Sequence, residues 1–204
     1  MASPALLHIG DYVDRGADSA GVIATLLAGC PIPGIEMINL LGNHEATMLD
    51  ALSGERAAGT DWLFAGGRAT LESYGIDPDG PREVWSRLIP PEHQGFLREL
   101  RLMHREGGYA FIHAGVRPGI PLERQSRDDL LRSRQPFLYS ERDFGAVIVH
   151  GHTPVKTAVI KHNRIAIDTG AVFGNVLTCA VLEADTIGFL TVPAVHPPVS
   201  MAHR

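Results

Sequence analysis

Gly10-Asp11-Tyr12-Val13-Asp14-Arg15-Gly16 directly follows a short apolar run over 5–9, and that run is typical of a buried strand. The glycines permit tight backbone angles, so the chain can turn sharply where the strand ends. Such a turn leaves two carboxylates and a guanidinium at one edge of a sheet. Taken alone, two aspartates beside an arginine are also typical of a polar turn that contains an ion pair.

Three further apolar runs end in the same manner, on side chains that can bind metal ions. The run over 35–41 leads into Gly42-Asn43-His44-Glu45, the run over 109–112 into His113-Ala114-Gly115, and the run over 146–149 into His150-Gly151-His152-Thr153. Four strands that each end on Asp, Asn or His at one edge indicate a metal site. Oxygen and nitrogen donors suit Mn²⁺, Fe or Zn²⁺, and the lack of thiolates argues against a structural zinc site.

In this order the four motifs resemble those of the calcineurin-like metallophosphoesterases, and among them the bacterial protein serine/threonine phosphatases of the PPP type. The resemblance spans 6–183. It implies an α/β fold, a sandwich of two facing mixed β-sheets flanked by helices. We expect a single domain over 1–192 and a flexible tail over 193–204. The stretch over 53–107 predicts three short helices, either inserted over the site or forming a layer that only packs.

The second half of the chain predicts one helix and then short strands. The helix is expected over 124–134. Strands at hairpin spacing follow it and predict an antiparallel sheet. Their predicted ranges are 146–149, 155–160, 164–168, 176–182 and 187–192.

The resemblance implies a ligand set for two metal ions. Asp11 would bridge them, and Asn43, His113 and His152 would complete the shell of the second ion. Because the family ligand is the histidine of the Gly-His pair, His150 is expected to lie behind the ligands.

The resemblance also implies the catalytic groups. A hydroxide that bridges the metal ions would attack phosphorus, and His44 would protonate the leaving group while Asp14 orients it. Arg15 would bind the phosphate through its fork of donors. A second phosphate-binding arginine is expected after the His-Ala-Gly motif, and Arg134 is our choice for it. The rival positions are Arg132 and Arg117.

One motif of the family is missing from the sequence. The family opens with Gly-Asp-x-His-Gly on an upstream strand–helix unit, and this Asp and His hold the first metal ion. No Asp-x-His occurs among the 204 residues. His8 is a poor substitute, because on a strand it points to the face opposite Asp11. We therefore expect one complete metal site, and weak activity or none from this chain.

Two alternative functions remain open, and a third is disfavoured because nothing else in the sequence serves its mechanism. The first is a dinucleoside tetraphosphate hydrolase, although such relatives tend to carry Asp where this chain has Glu45. The second is an inactive or truncated pseudoenzyme that binds metal and phosphate. The third is an aspartic protease built on Asp168-Thr169-Gly170. That mechanism needs two such aspartates sharing a proton, so the chain would have to dimerise.

The composition of the chain limits the classes of molecule that it is expected to bind. A net charge of −5 argues against nucleic acid, whose binders usually present a basic face. No apolar run approaches the ~18 residues of a membrane span, and the N-terminus lacks the features of a signal peptide. Cys30 and Cys179 are expected to be buried free thiols in a reducing compartment. These features predict a cytoplasmic enzyme that acts on a phosphorylated protein or a small phosphoester.

Overall fold

The computed structural model describes residues 4–183 and 186–194. The chain forms two units, one ending at Arg101 and the other beginning at Leu102. The single domain predicted over 1–192 stays a prediction. In the predicted tail, Pro193 belongs to the last strand and residues 195–204 lie outside the described part. None of the described helices combines the length and the apolar character needed to cross a bilayer.

The N-terminal unit contains two parallel strands and six helices. Its elements are β1 (Ala5–His8), α1 (Ser19–Leu27), β2 (Glu36–Asn39), α2 (Asn43–Leu52), α3 (Arg56–Trp62), a π-helical turn (Leu63–Gly67), α4 (Arg68–Ser73), a 3-10 turn (Arg82–Val84), α5 (Trp85–Leu88) and α6 (Pro91–Glu99). Strand β1 pairs in parallel with β2, so that Leu7 lies opposite Ile38. Helix α1 begins after Asp18, whose side chain accepts a hydrogen bond from the Gly21 N–H.

The predicted helical stretch supplies much of the core of this unit. Trp62, Leu71, Trp85 and Leu97 are all fully or almost fully buried, and they form one apolar cluster with side chains of α1 and α2. The three short helices predicted over 53–107 are wrong in number, since the structure has four α-helices there, α3 to α6, and no helix at the end of the stretch. Residues 103–106 form a strand instead, because the Gly-Gly turn over 107–108 folds them back as a hairpin.

The C-terminal unit is built on a mixed five-stranded sheet. Its elements are β3 (Met103–Glu106), β4 (Tyr109–Ile112), a 3-10 turn (Leu122–Arg124), α7 (Arg127–Arg132), a 3-10 turn (Phe137–Tyr139), β5 (Val147–His150), β6 (Val159–Ile160), β7 (Arg164–Ala166), a 3-10 turn (Ala171–Phe173), β8 (Val176–Glu183) and β9 (Thr186–Pro193). The order in the sheet is β3-β4-β5-β7-β6, and β8 and β9 form a separate hairpin.

The antiparallel sheet predicted for the last strands is wrong in its centre. Strand β5 runs parallel to both β4 and β7, whereas β6–β7 and β8–β9 are antiparallel pairs. Parallel neighbours need a long connection, and the loop over 151–163 provides one that carries the chain back along the sheet. The predicted strand over 155–160 is correspondingly reduced to the two residues of β6.

Two smaller predictions are also corrected. The helix expected over 124–134 is shorter, because Ser126 caps it: its hydroxyl accepts from the Asp129 N–H, at 3.0 Å.

Cys179 is exposed and Cys30 is partly exposed, so neither is the buried thiol that we expected. Strand β8 alternates outward and inward residues, and Cys179 falls on its outward side.

A single buried carboxylate fixes the loop over 10–16. Glu45 lies in the first turn of α2 with no exposed surface. Its Oε1 accepts from the backbone N–H groups of Tyr12 and Val13, at 2.6 and 3.1 Å. Its Oε2 accepts from those of Asp11 and Gly42, at 2.9 and 2.8 Å. The carboxylate therefore satisfies three donors of the sharp turn and one at the start of α2 that would otherwise lack partners.

This loop holds a conformation that ordinary residues avoid. The φ angles of Asp11, Asp14 and Arg15 are 62°, 75° and 64°, in the left-handed region that favours glycine. Such residues cost on the order of 1 kcal/mol or more each, and they persist only where the surroundings impose them. The hydrogen bonds to Glu45 are among the contacts that hold the loop in this conformation.

The first prediction concerns this carboxylate. We expect Glu45→Gln to lower the free energy of unfolding by about 3 kcal/mol, because the amide places a donor against backbone donors and removes the charge. Glu72→Gln, on the exposed face of α4, is the control and should change it by no more than about 0.5 kcal/mol. Urea unfolding followed by circular dichroism measures both. Equal stability of the two variants would contradict the anchoring role of Glu45.

Candidate functional site

The N-terminal unit brings its predicted site residues to one sheet edge. Because β1 and β2 are parallel, the Gly10-Asp11 and Gly42-Asn43 steps follow the carboxyl ends of neighbouring strands. In open α/β sheets this is the edge that carries ligands. Asp11 is exposed and Asn43 is partly exposed at the first position of α2, whereas His44 is buried.

Asp14 and His44 form a buried pair, as the sequence predicts. The His44 Nδ1 lies 2.6 Å from the Asp14 Oδ2. Burial lowers the pKa of His44, but the hydrogen bond to Asp14 and the charges of Asp11 and Asp14 raise it. The net result is a pKa above the ordinary histidine value, although Arg15 opposes the rise. The pair therefore favours a protonated imidazole whose Nδ1 is bonded to the carboxylate.

The other carboxylate oxygen of Asp14 receives donors that sequence reasoning missed. The indole N–H of Trp62 donates to Asp14 Oδ1 at 2.9 Å, and the hydroxyl of Thr70 donates to the same oxygen at 2.8 Å. Both residues lie in the helical stretch over 53–107, for which the sequence predicts no site residue. A threonine between Ala69 and Leu71 on a buried helix face is the one signal that could have revealed this contact.

Arg15 is fixed through its backbone by the π-helical turn. Its N–H donates to the carbonyl of Gly66 at 3.1 Å. Gly66 has a φ of 121°, and a Cβ atom there would lie 2.6 Å from the Arg15 Cγ. The turn can therefore approach Arg15 only because residue 66 is a glycine.

The C-terminal unit brings two predicted ligands together. His113 follows β4 and His152 follows shortly after β5, and these strands are parallel neighbours. The centroids of the two imidazole rings are 5.2 Å apart, and the rings are nearly perpendicular. His152 has a φ of 64°, a strained angle of the kind that clusters at functional sites.

Arg134 lies beside one of these histidines, whereas its two rivals contact carboxylates. The Arg134 Nε donates to the His152 Nε2 at 3.2 Å. Arg132 Nε lies 3.4 Å from an Asp128 oxygen, one turn earlier on α7. Arg117 Nε lies 3.3 Å from an Asp129 oxygen.

His150 is buried behind the two histidines of this unit. Its ring stacks edge to face on Phe137, with centroids 5.0 Å apart. Burial lowers its pKa to about 4, so the ring is neutral at physiological pH. Asp168 serves a turn, since its carboxylate accepts from the Gly170 N–H at 2.9 Å.

Each unit offers donor atoms that suit a divalent transition metal. Asp11 and Asn43 of the N-terminal unit offer oxygen atoms, and His113 and His152 of the C-terminal unit offer imidazole nitrogens. Imidazole suits Zn²⁺, Fe and Mn²⁺ alike, and carboxylate and amide oxygens favour the harder ions among them. Neither pair of donors singles out one metal.

Comparison with known proteins gives a consistent family assignment. The sequence profile of the calcineurin-like phosphoesterases matches residues 4–183. Serine/threonine-protein phosphatase 1 of Salmonella typhimurium (strain LT2) is 30% identical over 187 residues, which cover 87% of this chain and 78% of that protein. The symmetrical bis(5'-nucleosyl)-tetraphosphatase of Acidovorax sp. (strain JS42) is 36% identical over 115 residues, covering 56% of this chain but only 34% of that protein.

A solved structure shows the same fold. The crystal structure of a candidate diadenosine tetraphosphatase superposes with a TM-score of 0.67 at 22% identity, covering 93% of this chain and 80% of that one. The metallophosphoesterase fold predicted from the motifs is thereby confirmed. With a profile match over most of its length, the chain belongs to the calcineurin-like phosphoesterase family, whose members are metal-dependent hydrolases.

Proposed function

We propose that this protein is a phosphomonoester hydrolase of the serine/threonine protein phosphatase type. The observation that carries the proposal is the buried Asp14–His44 pair, which follows directly from two motifs of the chain. Its geometry suits a general acid rather than a structural histidine, since Asp14 holds one ring nitrogen and leaves the other for a substrate. The 30% identity to a protein phosphatase, over most of both chains, supports the choice of reaction.

Four residues are the proposed metal ligands. They are Asp11, Asn43, His113 and His152, with Asp11 as the bridging ligand where a second ion binds. Mn²⁺ is the proposed ion, with Fe and Zn²⁺ as the alternatives. When bound, the metal supplies Lewis-acid activation of the phosphoryl group and of the attacking water.

His44 is the proposed general acid. Since its Nδ1 bonds Asp14, the proton for the leaving-group oxygen is carried on Nε2. The hydrogen bond to Asp14 and the nearby carboxylates raise the pKa of His44, which favours the protonated ring that a general acid requires. Burial of the pair removes competing water from the Asp14–His44 bond.

Arg15 and Arg134 are the proposed phosphate-binding residues. The backbone of the loop that carries Arg15 is fixed by hydrogen bonds to Glu45 and Gly66. The position of the Arg15 Cα atom, from which the guanidinium extends, is therefore defined. Arg134 is preferred to Arg132 and Arg117 because it contacts a proposed ligand, His152, whereas the other two contact carboxylates.

A second candidate function is hydrolysis of dinucleoside tetraphosphates. The relative from Acidovorax and the superposed crystal structure both carry that description. Against it stands Glu45, which follows Gly-Asn-His where such relatives tend to have aspartate. An aspartate, one methylene shorter, would reach fewer of the four N–H groups that Glu45 binds.

Steady-state kinetics with Mn²⁺ separates these functions. We expect kcat/KM for a phosphothreonine peptide to exceed that for diadenosine tetraphosphate by at least about 10-fold. That difference corresponds to ~1.4 kcal/mol of transition-state stabilisation. The reverse order would select the tetraphosphatase. Tight Mn²⁺ binding without turnover of either compound would select the pseudoenzyme.

The next prediction concerns the general acid. We expect His44→Ala to slow hydrolysis of phosphothreonine peptides by roughly 10²–10⁴-fold, the usual contribution of a positioned acid. Hydrolysis of p-nitrophenyl phosphate should fall much less, because nitrophenolate leaves without a proton. His162→Ala, at an exposed turn, is the control and should leave both rates unchanged. An equal loss on both substrates would assign His44 a role other than acid catalysis.

A further prediction concerns metal content. After dialysis the 204-residue chain should retain about one Mn²⁺, because the sequence supplies one complete set of oxygen and nitrogen ligands. We expect His113→Ala to lose that ion and His162→Ala to keep it, as measured by elemental analysis. Two ions retained per chain would show that other residues replace the missing Asp-x-His ligands.

A further inference from the structure

Asp14 receives more hydrogen bonds than its pairing with His44 requires. The Asp14 side chain has no exposed surface, and its two carboxylate oxygens contact different neighbours. Oδ2 contacts His44, whereas Oδ1 accepts from both Trp62 and Thr70. These last two residues are completely buried and belong to the helical stretch after α2. The orientation of the pair is therefore set by residues outside the motifs that define the site.

The proton positions around Thr70 follow from counting its hydrogen bonds. Its hydroxyl oxygen accepts from the Asp14 N–H at 2.8 Å and lies 3.2 Å from the Ser19 hydroxyl. A hydroxyl has one proton to donate and two acceptor positions. The Thr70 hydroxyl donates to Asp14 Oδ1, so its single proton is used there and the Ser19 hydroxyl is left to donate to Thr70. The indole N–H of Trp62 can only donate. Oδ1 thus accepts two hydrogen bonds from buried side chains, and these bonds fix the direction of the carboxylate.

The Trp62 ring is held rigidly in the position that makes this contact. A Cβ atom at Gly67 would lie 2.6 Å from the indole, so the following turn packs directly on the ring. Trp85 contacts it edge to face, with ring centroids 5.5 Å apart. The indole therefore cannot follow Asp14 if the carboxylate turns, and it acts as a fixed donor.

We propose that Trp62 and Thr70 are positioning residues that hold the Asp14 carboxylate directed at His44 Nδ1, so that the helical stretch sets how well the His44 ring is oriented towards the leaving group. The role rests on the proposed function, since it presumes that His44 is the general acid. In acid–base triads a buried carboxylate fixes the orientation and tautomer of its histidine. Here Trp62 and Thr70, which donate to Oδ1, in turn fix the orientation of the carboxylate.

The chain provides a matched control for Trp62. Trp85 belongs to the same apolar cluster and is 1% exposed. Its ring N–H has no hydrogen-bond partner among the residues that the structure describes. Trp62→Phe and Trp85→Phe therefore remove the same atoms from the same core, but only the first removes a donor to Asp14.

The experiment compares these variants on two substrates. We expect Trp62→Phe to lower kcat for a phosphothreonine peptide by about 10-fold, as loss of an orienting contact typically does. KM and the rate with p-nitrophenyl phosphate should change less than about threefold, because binding and the non-acid steps are retained. Thr70→Val should behave like Trp62→Phe. Thr70→Ser should retain the parent rate with the peptide, because it keeps the hydroxyl. Trp85→Phe should change neither rate.

Combination with His44→Ala tests whether the effect passes through the acid. When His44 is absent, Trp62→Phe should cost nothing further on the peptide, because no acid remains to be oriented. Equal losses on both substrates would overturn the proposal and leave Trp62 a packing role only. A loss that persists in the His44→Ala background, or one matched by Trp85→Phe, would overturn it as well.

A spectroscopic readout separates this proposal from the proposed function. If the parent hydrolyses no phosphoester, the proposed function fails, but the orientation of the pair can still be measured. In Zn²⁺-loaded protein we expect the His44 Hδ1 proton to give a strongly downfield NMR signal, owing to its short bond to Asp14. Trp62→Phe should shift or broaden that signal and Trp85→Phe should not. An unchanged signal in Trp62→Phe would refute the positioning role.

Discussion

The loop over 10–16 depends on one interaction, the binding of four backbone N–H groups by the buried carboxylate of Glu45. A turn this sharp directs its amides inward, where water cannot reach them, and an ionised carboxylate is the strongest acceptor that a side chain offers. The same bonds tie the loop to the start of α2. Because Asn43 and His44 begin that helix, one carboxylate fixes the relative positions of Asp11 and of the two residues that follow Gly42.

The strained backbone of the loop follows from that anchoring. Asp14 and Arg15 are adjacent and both left-handed, an arrangement that a free chain would abandon. It persists because Glu45 holds the loop before them, while Ser19, Thr70 and Gly66 bind their amides. The result is a short segment whose side chains leave in fixed and different directions. Asp14 is thereby buried and Arg15 only partly so, although they are neighbours in sequence.

The sequence predicted the parts of this arrangement that depend on residue type at the end of a strand. It placed Asp11, Asn43, His113 and His152 after strands, and the strand β4 was predicted with the bounds it has. The sequence did not predict the features that depend on pairing between distant segments of the chain. The parallel pairing of β5 with β7 depends on the path of the loop over 151–163, which alternation of apolar residues does not reveal. The role of Glu45 was equally hidden, because an acid in the first turn of a helix ordinarily indicates only a favourable dipole.

The helical stretch shows why composition could not decide between its two predicted roles. Its apolar residues indicated either an insertion over the site or a layer that only packs, and both alternatives concern buried area. The structure shows packing through Trp62 and Trp85, yet the same indole that fills the core also donates to Asp14. An aromatic residue with a polar atom can serve both purposes at once, since only one edge of the ring needs a partner. The pattern of apolar residues indicates that the ring is buried, but it does not indicate which group its N–H contacts. The contribution of such a residue to a site becomes visible only when the acceptor, 48 residues away in the sequence, is seen beside it.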